Sequence, residues 1–401
     1  MTETATRQLN KDTAKTECDF AICESRRCLN CKAPQCALGC PIGYDIPKFL
    51  QYVKQQNFAS ALQTVGHLFG EVCGYICARD KQCKGHCVLN KSGCGIDVGA
   101  VEKQVFASHF PGILRQDNAL EGLKVAVVGA GVSGVTFAAQ CFCHGAEVTL
   151  LEQNELLHTL KSIPSLRLPG EVLQRVETAV LTSGIRLEHR KIDAKGLTEL
   201  QQNFDVVYLA TGAMKPNDLW IEGEQFATKA DSFLRGNTFC DAIIVGGGNT
   251  AMDCALLNAS KGHKTVVCYR RTRNEMPAFD AEVKLAEKHG VQFMFNLAPL
   301  SAKKVGDKLI VTFAKTASEN RGNLVVTNQT VELQCNMLVA ATGNTFDTSV
   351  YDTCKYVQID NNGNVCGNLY AGGDCTGKGL AVWAVADALN AARAVMEKYK
   401  R

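Results

Sequence analysis

Eleven of the twenty cysteines fall within the first 94 residues, and eight of those form two closely spaced runs. The first is Cys28-x2-Cys31-x4-Cys36-x3-Cys40, closed by Pro41; the second is Cys73-x3-Cys77-x5-Cys83-x3-Cys87. A four-iron cluster takes a thiolate at each of four corners of a cube, so one tight loop can supply three corners while the fourth comes from elsewhere. In two-cluster ferredoxin-like runs the cysteine before the proline ligates the other cluster. That rule predicts interleaving: Cys28, Cys31 and Cys36 join Cys87 on one cluster, while Cys40 joins Cys77 and Cys83 on the second. The last ligand of the second cluster is left to Glu102, Cys73 or Cys94, with Glu102 placed first. Zinc sites favour paired CxxC knuckles, and disulfide frameworks belong to secreted modules. The polar start MTETATRQLNKDTAK has no apolar h-region, so the expectation is a cytoplasmic chain whose thiols bind metal.

A length of 401 residues exceeds what one core usually serves, and two or three domains are expected. The net charge of +3 and the lack of a basic run or an aromatic-interleaved basic patch give no reason to expect a nucleic-acid partner. Val125 to Cys143 is uncharged and long enough to raise a transmembrane question. Its glycines read better as a buried strand, a tight turn and a core-facing helix, so no membrane span is expected.

KVAVVGAGVSG places Gly129, Gly131 and Gly134 as GxGxxG after an apolar strand, and Glu152 closes the next strand. The first glycine permits the turn, the second lets backbone approach a pyrophosphate, the third brings helix and strand together, and the acid receives a ribose hydroxyl. The pattern repeats in AIIVGGGNTAMD, with Gly246, Gly248 and Ala251 followed by a strand that ends in Arg270 and Arg271. An acid there would repel a 2′-phosphate, whereas arginines pair with it, so this copy is expected to bind NADP(H). Each unit has a matching strand end, LATG with Thr211 and Gly212, and AATG at Ala340 to Gly343. Further on, AGGDCTGKG sets Gly373 and Asp374 before an apolar helix, where an aspartate can bond a flavin's ribityl chain. This segment follows the second nucleotide unit, so the flavin fold must be interrupted by an insertion.

The fold class expected is therefore α/β: a helical domain with two [4Fe-4S] clusters at 1–115, followed by two Rossmann-like units, the second inserted in the first. The boundaries are 116–235 and 345–401 for FAD and 236–344 for NAD(P)H, with ASHFPGILRQDNALEG as a linker.

The two cysteine runs, GAGVSG, GGGNTAMD, YRRTRNEMPA and AGGD occur in the same order as in the small subunit of NADPH-dependent glutamate synthase. The chain resembles that family, including the NADPH-side half of dihydropyrimidine dehydrogenase and its separate bacterial subunit, along nearly its whole length. The resemblance implies FAD on Gly129, Gly131, Gly134, Glu152 and Asp374, and NADP(H) on Gly246, Gly248, Asn249, Thr250, Arg270 and Arg271. It also implies the interleaved ligation, with Glu102 where the dehydrogenase relatives use a non-cysteine ligand. The sequence departs from the family in EQNELLHTLKSIPSLRLP, which lacks a paired glycine and has Ser162 before Ile163 and Pro164. The helix after Asp374 lacks the glycine-arginine pair of many relatives.

These parts make an NAD(P)H-dependent oxidoreductase that passes electrons from NADPH through FAD and two clusters to a separate acceptor subunit, with no catalytic nucleophile or base. A thioredoxin-reductase-like relay is disfavoured because Cys240, Cys254 and Cys268 form no CxxC. A degenerate, non-catalytic scaffold subunit of a larger redox complex is the alternative.

Overall fold

The protein is represented by a computed structural model that describes residues 20–213, 215–318, 324–345 and 359–400. The polar start expected within 1–115, and residues 346–358 of the expected return to the flavin fold, lie outside the described residues.

Three N-terminal helices begin at side-chain caps. Asp45 accepts from the Lys48 N–H at helix Ile46–Lys54, Asn57 from Ser60 at Phe58–Val65, and Asp97 from Ala100 at Val98–His109. Each cap satisfies an amide that the first turn would leave unpaired. Ile46, Phe49, Val53, Val101 and Phe106 are fully buried between these helices. Phe106 also presses against helix Gly70–Ile76, where a Cβ at Gly70 would lie 2.3 Å from its ring. One turn later a Cβ at Gly74 would lie 2.4 Å from the Gly99 carbonyl oxygen. Two helices thus meet almost backbone to backbone, and Cys73 and Cys77 come to face Glu102. The buried Glu71 carboxylate ties the same short helix to helix Gly170–Ser183 through two hydrogen bonds from Arg175, at 3.0 and 2.5 Å.

The first nucleotide fold is a six-stranded sheet ordered 364–366, 369–371, 206–209, 124–128, 147–152, 186–189. All its pairings are parallel except the edge pair Asn364–Cys366 with Leu369–Ala371. Val206–Leu209 is buried at every position, as a strand covered on both faces must be. The C-terminal strand Leu369–Ala371 lies beside Val206–Leu209, so the chain leaves this sheet, builds another body and returns to its neighbour's edge.

That second body is a five-stranded parallel sheet ordered 227–229, 337–340, 242–245, 265–269, 292–295, with a three-stranded antiparallel sheet formed by Leu297–Val305, Lys308–Ser318 and Leu324–Cys335. Contacts divide the chain into Met1–Lys161 with Ser165–Ala213 and Phe346–Arg401, and Ser162–Pro164 with Met214–Thr345. Residues 214–235, expected with the flavin fold, group with the second body instead. The reason is strand Ala227–Lys229, which pairs in register with Leu338–Ala340. The helical segment, expected as a separate domain, groups with the first nucleotide fold. No helix of the described residues is long and apolar enough to cross a membrane.

Gly74→Ala tests the close helix approach. The added methyl meets backbone rather than a mobile side chain, so the variant is expected to lose about 1–3 kcal/mol, read as a lower urea midpoint. An unchanged midpoint would mean that the two helices do not need this contact.

Candidate cluster chambers and nucleotide sites

Two chambers lie within the helical segment. One is lined by Cys28, Cys31, Cys36 and Cys87 with apolar Leu50, Leu89 and Val98. The other is lined by Cys40, Cys77, Cys83 and Glu102, together with Cys73, Tyr44 and Val382. Each chamber draws thiols from both cysteine runs, and every metal-ligand candidate named from the sequence except Cys94 falls in one of them. Cys94, the remaining candidate for the last corner, is exposed and lines neither.

The electrostatics of both chambers disfavour free thiolates. Burial pushes the Cys36 thiol up to about 11. Burial and then the Glu102 charge push Cys40 to about 11 and Cys77 to about 12. Cys83 and Cys73 are raised further for the same two reasons, in the same order. Burial also lifts the Glu102 carboxyl to about 7, against a Tyr44 hydroxyl that donates to its Oε1 at 2.5 Å. Four or five acidic donors around one dry space are stable as anions only with a cation among them. Among the described residues no three His, Cys, Asp or Glu side chains could hold a single metal ion. A donor set rich in thiols and spread around a chamber fits an iron-sulfur cube.

The first glycine turn follows the logic of its motif. Gly129 has φ +103, and a Cβ there would lie 2.4 Å from the Ala210 carbonyl oxygen. A Cβ at Gly134 would lie 1.8 Å from the Gly129 oxygen, which locks helix Val132–Cys143 onto its strand. Gly131, between them, caps that helix and faces open space, the cradle a diphosphate requires. The Glu152 carboxylate accepts from the Ala130 and Asn154 N–H groups, each at 2.7 Å, and so is held at this turn. The segment that lacks the glycine pair keeps a glycine-like backbone: Leu157 is fully buried at φ +57, and its N–H donates to the Ala130 oxygen at 3.0 Å.

Beside this turn, just past the end of the neighbouring strand Val206–Leu209, Gly212 has φ +68 and the buried Thr211 Oγ1 has no hydrogen-bond partner. An orphaned hydroxyl beside a nucleotide cradle fits a polar ligand. Gly373 has φ +82 and begins the turn Asp374–Thr376. Burial, and then the Asp387 charge, raise the Asp374 carboxyl. Asp387 is a residue the sequence reading missed. From helix Ala381–Tyr399 it accepts from the Gly373 N–H at 3.2 Å, the Thr376 hydroxyl at 3.1 Å and the Lys378 ammonium at 2.5 Å. It staples the AGGD loop, and only the unusual acid in an alanine-rich helix could have signalled it. Val382, on the first turn of this helix, is also a wall of the Glu102 chamber.

The second glycine turn repeats the design. A Cβ at Gly246 would lie 2.1 Å from the Ala341 oxygen, while Gly248 caps helix Asn249–Ser260 and faces open space. Asn249 Oδ1 accepts from the Phe279 N–H at 3.0 Å, and Thr250 stands exposed at the same helix start. Arg270 is exposed beyond strand Thr265–Tyr269. Arg271 pairs with Glu275 at 3.1 Å, and Glu275 in turn closes a capping box with Thr272. The two arginines thus differ, one held and one extended into solvent. The described cysteines of this body, including Cys240, Cys254 and Cys268, are free.

Residues 123–388 match the family model described as pyridine nucleotide-disulphide oxidoreductase, and residues 5–111 match that of dihydropyrimidine dehydrogenase domain II, 4Fe-4S cluster. The chain is 27% identical to the glutamate synthase [NADPH] small chain of Escherichia coli, across 94% of this chain and 91% of that one. It is 26% identical to the corresponding small chain of Azospirillum brasilense, across 93% and 88%. Among solved structures it is similar to FprA of Mycobacterium tuberculosis in complex with NADPH, with TM-score 0.54, 17% identity and coverage of 69% and 84%. It is also similar to 2-naphthoyl-CoA reductase, with TM-score 0.57, 20% identity and coverage of 85% and 51%. These structures share the fold. The chain is a member of the pyridine nucleotide-disulphide oxidoreductase family, an FAD- and NADP-binding oxidoreductase of glutamate synthase small-subunit type with a [4Fe-4S] domain at its N-terminal end.

Proposed function

We propose that this chain takes reducing equivalents in pairs from NADPH and hands them on singly to a separate acceptor subunit in a reducing cytoplasm. The single observation that carries the reading is the sorting of two interleaved cysteine runs into two chambers, one of which shares Val382 with the flavin-side helix. When bound, flavin supplies the conversion between paired and single electrons, and the clusters supply one-electron conduction.

The chain's own residues bind, orient and exclude water. Gly129, Gly131 and Gly134 cradle the FAD diphosphate, and Glu152 receives its ribose. Thr211, Gly212, Gly373 and Asp374 meet the flavin end, with Asp387 holding their loop. Gly246, Gly248, Asn249 and Thr250 cradle the NADPH diphosphate, while Arg270 and Arg271 neutralise the 2′-phosphate. Cys28, Cys31, Cys36 and Cys87 hold the outer cluster, and Cys40, Cys77, Cys83 and Glu102 hold the inner one, beside the flavin. No side chain is needed as nucleophile or general base. The likeness to small chains of glutamate synthase supports a partner subunit of glutamate-synthase or dihydropyrimidine-dehydrogenase kind.

The anaerobically purified chain is expected to oxidise NADPH with an artificial one-electron dye as acceptor; a scaffold subunit would reduce no dye. Removing one charge-assisted contact costs about 1.5–3 kcal/mol, so Arg270→Ala and Arg271→Ala should each raise KM for NADPH roughly 10- to 100-fold and leave NADH turnover unchanged. Equal rates with both coenzymes in the unaltered chain would contradict this assignment. Cys87→Ala should strip about four irons from the chamber that also holds Cys28 and leave the spectrum of the Glu102 site intact. Loss from the other site would mean that the runs do not interleave.

A further inference from the structure

A cube offers four corners, and the inner chamber presents five donors. Cys40, Cys77, Cys83 and Glu102 line it, and so does Cys73. Cys73 is 7% exposed and sits one turn before Cys77, the residue that caps helix Gly70–Ile76 and donates its N–H to the Cys73 oxygen at 3.1 Å. Side chains four apart on a helix are neighbours at about 5–6 Å between their Cβ atoms, which lets both face one chamber. Glu102 enters from the facing helix, held by the Tyr44 hydroxyl. Gly74, set against the Gly99 carbonyl, keeps the two helices close enough for thiol and carboxylate to share the space. A carboxylate is a hard donor, and soft thiolates are the preferred partners of iron-sulfur cubes. The stronger class of ligand therefore lies beside the weaker one, in the same wall.

We propose that Cys73 is a reserve ligand that takes the fourth corner of the inner cluster when Glu102 lets go, so that this cluster keeps four irons without its carboxylate. The inference rests on the cluster reading above. The exchange balances within the chamber: the Fe–O bond to Glu102 breaks, the Fe–S bond to Cys73 forms, and the thiol proton passes to the released carboxylate. No electron moves and no outside reagent is consumed. Cys94 cannot play this part, because it is exposed and lines neither chamber.

The test uses the full chain, purified without oxygen, as Glu102→Ala, Cys73→Ala and the double variant. Iron and acid-labile sulfide per flavin are counted, and the reduced proteins are compared by electron paramagnetic resonance. Glu102→Ala is expected to keep the native iron count with one altered cluster signal and a lower potential. Cys73→Ala should keep both the count and the native signals. The double variant should lose at least one iron per chain and show a three-iron signal on oxidation.

If Glu102→Ala alone loses iron as the double variant does, Cys73 is a packing thiol and the proposal falls. If Cys73→Ala alone loses iron, Cys73 is a resident ligand and the reserve role is equally overturned. Should Glu102→Ala fail to fold, Tyr44→Phe loosens the carboxylate without removing it. Its signal should then shift toward the altered form, and Cys73→Ala should abolish that shift; no shift would overturn the proposal. A native chain without about eight irons would instead sink the cluster reading itself, whatever the variants do.

Discussion

The contact between helix Gly70–Ile76 and helix Val98–His109 governs everything near the clusters. Gly70 and Gly74 remove the side chains that would hold these helices at ordinary spacing, and Phe106 fills the gap beside them. Without that approach Cys73 and Cys77 would not face Glu102. The Glu71–Arg175 pair anchors the same short helix to the first nucleotide fold, so the chamber is fixed relative to that sheet. Chemistry and packing are thus set by the same few residues.

The two nucleotide turns show one design used twice. In both, the first glycine avoids a neighbouring strand's carbonyl, the second leaves space above a helix start, and the third position is small enough for close packing. What differs is the end of the following strand: Glu152 in one copy, Arg270 and Arg271 in the other. Under the proposed assignment the acid suits a ribose hydroxyl and the arginines a 2′-phosphate. The loop around Asp374 is held differently, by the partly buried Asp387 carboxylate on the succeeding helix, with Tyr208 and Ser133 packed under its glycines.

Local chemistry was readable from the chain, because cysteine spacing and glycine turns act over a few residues. The grouping of Cys87 with Cys28, Cys31 and Cys36 in one chamber follows a rule about loop geometry that needs no tertiary information. Tyr44 beside Glu102 was not readable, since 58 residues separate them and nothing in either segment marks the other. Asp387 was hidden for a related reason: an acid in an alanine-rich helix reads as surface until the loop it holds is folded over it. The edge of the second body was misplaced because strand Ala227–Lys229 is three residues long and is defined by its partner, not by its own pattern. Leu157 shows the converse, a leucine in the left-handed region that favours glycine, which nothing in the local sequence marks.

The central claim is that the two cysteine runs are woven together around two cubes. Diffraction from oxygen-free crystals at the iron absorption edge tests it directly. The account predicts two iron centres, one among Cys28, Cys31, Cys36 and Cys87 and the other among Cys40, Cys77, Cys83 and Glu102. One centre held by Cys28 to Cys40 alone and another by Cys73 to Cys87 alone, or an anomalous signal at the zinc edge only, would contradict it.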